Sequence, residues 1–115
     1  MTFEKRETEH GGAAILTDPG VRIGDAGDFL DVMASGASEI LVLEKEHLTP
    51  EFFHLKSGIL GEILQKVSNY RRKVVIIGDF DGLSAGPFAD FVRESNRGGS
   101  VVFAADVESG LSALR

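Results

Sequence analysis

Five acids stand just beyond the aliphatic runs of this 115-residue chain: Asp18, Glu44, Asp79, Asp81 and Asp106. Carboxylates brought together by neighbouring strands can hold a hard cation such as magnesium, and a metal held there would suit chemistry on a phosphorylated small substrate. Asp79 and Asp81, joined by Glu44, are the acids for such a ligand site, with Gly78 and Gly82 letting the loop fold tightly around it. The same residue types punctuate turns and helix starts. Asp18-Pro19-Gly20 and Asp81-Gly82 read as turns and Asp106 as a helix cap, so the local reading accounts for these acids without a ligand.

Other reactive constellations are harder to assemble. His47 and His54 are seven residues apart and His10 lies in a turn, so no ligand pair of the His-x-x-x-His kind forms, and a surface or capping role is expected for all three. No serine sits in a Gly-x-Ser-x-Gly elbow, and neither Gly-x-Gly-x-x-Gly nor a Gly-Lys-Ser ending is present. With no cysteine, thiolate catalysis, disulfides and sulfur-bound metals are excluded. The sequence therefore assigns no catalytic residue, no metal ligand set and no cofactor.

The elements that would position these residues follow a regular rhythm. Ala13 to Leu16, Ile40 to Leu43, Val74 to Ile77 and Val101 to Ala105 read as near-continuous aliphatic strands, the form expected when helices cover both sheet faces. Thr2 to Thr8 is expected as an edge strand joined to the first of them through His10-Gly11-Gly12. Asp25 can cap a helix bearing Phe29, Val32 and Met33 and ending at Gly36. Thr49-Pro50-Glu51 supplies a cap, a first-turn proline and an acid, predicting one long helix to about Tyr70 with Phe52, Ile59, Leu60, Ile63, Leu64 and Val67 on its apolar stripe. Lys66, Arg71, Arg72 and Lys73 would then close it, where cations suit the macrodipole. A third helix opens at Gly86-Pro87 and a short fourth at Asp106. The alternation predicts an α/β fold with a mostly parallel central sheet of four to five strands and about four helices. Ligands of such sheets usually bind beyond the strand carboxyl ends.

Two glycines inside the predicted long helix, Gly58 and Gly61, each cost about 1 kcal/mol against alanine. Close approach of another backbone, from the sheet or a partner helix, is the reason expected for them. Eight phenylalanines are many for one small core, and Phe52, Phe53, Phe88 and Phe91 are expected to leave an apolar patch for association.

Composition bounds the partners. Residues 1–115 suit one compact domain, and 43% hydrophobic with 26% charged residues argues against disorder and against a membrane span. Eighteen acids against twelve bases give a net charge of -6, so no nucleic acid and no membrane is expected as a partner. The first residues, Met1 to Glu9, lack the apolar stretch of a secretory signal, which makes the cytoplasm the expected location.

Glu51 to Gly58, Gly61 to Lys66, Ser68-Asn69-Tyr70, Gly78-Asp79-Phe80 and Glu94-Ser95-Asn96 together resemble a family of small bacterial proteins known as domain-of-unknown-function family 4180. The likeness runs from about Ala13 to Ala105 and implies no activity. The layout also resembles, more weakly, the STAS domains of anti-sigma-factor antagonists, in which a serine at a helix start is phosphorylated by a partner kinase. That resemblance implies a regulatory role for Ser57, although Leu55 and Lys56 replace the acid and first serine of the family's motif. A non-catalytic interaction or regulatory module is thus the leading expectation, docking a protein partner or itself as a homodimer through Ser57, Gly58, Gly61, Phe52 and Phe53. The rivals are a metal-dependent enzyme and a small-ligand sensor, both using the strand ends.

Overall fold

A computed structural model describes residues 1–54, 58–80 and 87–115. Its five strands are β1 (Phe3–Thr8), β2 (Gly11–Leu16), β3 (Ile40–Glu44), β4 (Lys73–Ile77) and β5 (Val101–Ala104). They form one sheet in the order of the sequence, β1 antiparallel to β2 and the rest parallel. Three helices join the parallel strands, α1 (Ala26–Ser35), α2 (Ile59–Asn69) and α3 (Pro87–Gly98), and a fourth, α4 (Val107–Ala113), follows β5. The α/β class, the strands and the edge hairpin are as the sequence predicts.

The register explains how the two faces differ. Leu16, Leu43, Ile76 and Phe103 align across β2 to β5 on one face, with Leu41, Val74 and Val101 in the adjacent row. The buried stripes of α1 (Phe29, Val32, Met33) and α2 (Leu60, Ile63, Val67), and Phe88 of α3, join those side chains in one cluster. Burial of each such side chain contributes about 1.5–3 kcal/mol, enough to hold helices of this length that would be marginal alone. The opposite face, with Ile40, Val42, Val75 and Val102, packs against Leu111 and Leu114 from the chain's carboxyl end. Three helices thus share one face and a single seven-residue helix, α4, covers the other.

That short helix lies unusually close. A Cβ at Gly110 would stand 2.3 Å from Val75 Cγ1, so only glycine lets α4 settle onto β4. Asp106 starts it, its Oδ1 accepting from Ser109 N at 2.8 Å. At α1, Asp25 accepts from Asp28 N at 2.8 Å, and Asp28 Oδ2 accepts from Gly24 N at 2.9 Å.

The long helix from Thr49 does not form. Pro50–Phe53 is a single 3₁₀ turn, and α2 begins at Ile59 behind Gly58, whose φ of +76° no residue within an α-helix adopts. Pro50 does open a helical turn after Thr49, but the turn is not continued. The chain leaves helical geometry at His54, whose backbone is extended, and Gly58 is left-handed.

Candidate functional site

At the carboxyl ends of β2 and β3, the polar groups are occupied with one another. Glu44 and His47 form a reciprocal cap around the 3₁₀ turn Lys45–His47: the Glu44 carboxylate accepts from His47 N, and His47 Nδ1 accepts from Glu44 N at 3.0 Å. Because Nδ1 accepts, Nε2 carries the ring hydrogen and donates it to Asp18 O at 2.9 Å. His47 is 2% exposed, so of the surface or capping role expected of it, it fills the capping one, as an internal clamp between the two strand ends. Ile23 N donates to His47 O and Thr49 N to Ile23 O, tying the segment after β2 to the same turn.

At the end of β4, Lys45 reaches across Gly78 and donates from Nζ to Asp79 O at 2.8 Å. The ammonium lies 5.5 Å from the Phe80 ring centroid and 6.0 Å from that of Phe53, a cation held by carbonyl and aromatic faces. Asp79 itself is exposed, as is Glu44, and Asp81 lies outside the described residues. Among the described residues no group of three or more acids or histidines is placed to hold a metal ion. Asp106 is engaged in capping α4, and the Ser109 backbone and side-chain hydrogen bonds hold its carboxyl below the ordinary value. The sheet order also runs without reversal, so it lacks the switch-point crevice that seats ligands in doubly wound sheets.

The residues expected to form an association patch separate into different roles. Phe52 is 1% exposed and belongs to the core, which corrects its assignment to a docking surface. Phe53 is half-buried, 5.5 Å from Phe88 and 6.4 Å from Phe80 between ring centroids. Phe103 meets Phe80, Phe88 and Phe91 edge to face, so the surplus phenylalanines gather into one aromatic cluster in which Phe88 and Phe103 are buried and Phe53, Phe80 and Phe91 half-buried. Gly58 is explained by its left-handed backbone. Gly61 is exposed, and no described atom lies within 4 Å of a Cβ built on it, so neither glycine is a slot for the sheet. Ser57 lies outside the described residues.

A different surface emerges where α2 ends beside α1. The Tyr70, Arg71 and Arg72 segment closes α2 with a Schellman turn: Arg71 N donates to Ser68 O at 3.1 Å and Arg72 N to Val67 O at 3.0 Å. The turn requires a left-handed residue, and Arg71 fills it with φ 53°, a place that glycine takes at less cost. Arg72 then turns back to α1, donating from Nη1 to Met33 O at 2.7 Å and from Nη2 to Gly36 O at 3.2 Å. It thereby caps the carboxyl end of a helix with no base of its own in the last turn. Burial lowers the Arg72 pKa, and its Nε is buried without an acceptor among the described residues.

Tyr70 is 61% exposed; with Met1 it is one of two large apolar side chains left open to solvent among the described residues. It borders a groove of about 350 Å³ lined by Leu30, Asp31, Met33, Ala34, Tyr70 and Arg72. Read from the sequence, the bases here serve the α2 macrodipole and Tyr70 has no role. The available signal was a lone tyrosine followed by arginine where a helix stop usually places glycine.

A family model described as "Domain of unknown function (DUF4180)" matches residues 11–114, which takes in every element after β1. No curated protein and no solved structure matches the chain.

Proposed function

The chain belongs to the DUF4180 family, and we propose that it is a non-catalytic interaction module that docks a protein partner through the corner where α1 meets the end of α2. The observation that carries this is Arg71. Its left-handed backbone costs about 1 kcal/mol against glycine, and its exposed guanidinium has no ion pair among the described residues to offset that cost. A partner outside the chain supplies the missing return. Beside it stands Tyr70, the kind of rigid amphipathic side chain that anchors interfaces, next to a groove with an apolar floor.

The test is site-specific photo-cross-linking in cells of the native host. A photoreactive residue at position 70 is expected to give one dominant protein adduct, and the same residue at exposed Arg93 none. Equal, diffuse labelling from both positions would remove the docking reading. A regulatory role for Ser57, as STAS-like phosphorylation, is a finer form of the same proposal, and phosphate there would add charge near α2.

A second reading puts a phosphorylated small ligand, with a metal ion, at Glu44 and Asp79; the Lys45 ammonium held between the β3 and β4 ends favours the phosphate and not the metal. Calorimetric titration with magnesium or manganese, repeated on Asp79→Asn, decides it: binding that the substitution removes supports the metal-dependent form, and no heat in either protein rejects it.

A further inference from the structure

The docking corner carries enough chemistry to name its occupant. We infer that the partner at the α1–α2 groove is a second copy of this chain, related by a two-fold axis. The inference rests on the docking reading above and adds the identity of what docks.

Charge arrangement leads to it. Asp31 is exposed on the α1 wall and Arg71 is exposed at the end of α2, between Tyr70 and Arg72, both of which line the groove. Neither Asp31 nor Arg71 has a side-chain hydrogen bond or ion pair among the described residues, whereas Arg6, Arg93 and Arg97 all pair with neighbouring acids. An interface about a two-fold axis uses the same patch twice, so residue i of one copy meets residue j of the other and j meets i. A patch with an unpaired acid on one side and an unpaired base on the other satisfies both charges in that arrangement. A patch of one sign would instead call for a partner of opposite charge.

The apolar part has the same self-complementarity. The patch holds both a projecting group, Tyr70, and a recess floored by Leu30, Met33 and Ala34. Each ring can therefore seat in the recess of the other copy. The net charge of -6 opposes association of two copies in general, but at this corner Asp31 and Arg71 leave one free charge of each sign, Arg72 being engaged on the Met33 and Gly36 carbonyls. Strand pairing is not an equivalent route. Ser95 and Asn96 side chains occupy backbone groups of β5, and β1 carries Glu4, Lys5, Arg6 and Glu7 along the other edge.

The experiment is sedimentation equilibrium of the full chain up to about 200 µM, a range that detects micromolar association. The wild-type protein is expected to dimerise. Asp31→Arg alone and Arg71→Glu alone should each weaken the dimer at least about tenfold, and the double exchange should restore most of the affinity. Urea unfolding of each variant confirms that these exposed substitutions leave the fold intact. A monomeric wild type, single reversals that leave the dimer unchanged, or a double variant without recovery would each overturn the inference. If the wild type is monomeric while position 70 still cross-links to another protein, the second copy is excluded and the docking reading survives.

Discussion

The Asn96 carboxamide pairs with both backbone groups of Phe103, its Oδ1 accepting from Phe103 N at 2.8 Å and its Nδ2 donating to Phe103 O at 3.3 Å. A side-chain amide thereby stands in for a neighbouring strand along the outer edge of β5. Ser95 Oγ adds a bond to Val101 O at 2.5 Å, so α3 closes the edge it packs beside. The Glu94-Ser95-Asn96 run is one of the segments on which the family resemblance rests, and its physical task is edge protection.

Removing that protection should cost stability and solubility together. Asn96→Ala leaves a half-buried N–H and C=O on β5 unpaired, and we expect a loss of about 1–3 kcal/mol in urea unfolding. Light scattering at high protein concentration should rise as the bare edge pairs with other chains. Asn96→Ala behaving as wild type in both measurements would show that the edge is covered by other means.

Two glycine-to-alanine substitutions should have opposite signs. Gly110→Ala drives a methyl to within 2.3 Å of Val75 Cγ1 and should destabilise by about 1–3 kcal/mol as α4 lifts from the sheet. Gly61→Ala meets no described atom within 4 Å and gains helix propensity, so stability should rise by up to about 1 kcal/mol. Denaturant midpoints of the two variants check the pair.

Arg72 joins the end of one helix to the end of another. Arg72→Met keeps the length of the stem but gives up the bonds to Met33 O and Gly36 O, and a loss of about 1.5–3 kcal/mol is expected. Amide exchange should quicken first in the last turn of α1, around Val32 to Gly36, where the capped carbonyls lie.

The contribution of the Asp106 cap should depend on pH in one direction. Its folded carboxyl titrates below the ordinary value of 3.8, so its stabilisation is fully present above that value and is lost as pH falls through the lower, folded one. The stability gap between wild type and Asp106→Ala, read from unfolding at a series of pH values, should therefore be constant near neutrality and shrink below about pH 4.

Where the signals are local, the sequence reads correctly. The aliphatic strands, the caps at Asp25 and Asp106 and the edge hairpin all follow from residues adjacent in the chain. The Thr49 helix fails because a start signal says where a turn opens and not how far it runs, and Gly58 takes a backbone angle the helix cannot share. The candidate site depends on distant pairs. Arg72 finds its acceptors on α1, 39 and 36 residues away, and His47 finds one at Asp18, 29 residues away, which no periodicity encodes. The order of the strands is likewise a property of the whole sheet, and with it went the crevice that would have gathered the acids.

The central claim is that Arg71 occupies a strained position for the sake of something outside its own chain, and Arg71→Gly tests it by separating two quantities. The account predicts that the unfolding free energy rises by about 1 kcal/mol while cross-linking from position 70 falls sharply. Unchanged cross-linking in the stabilised variant would contradict it.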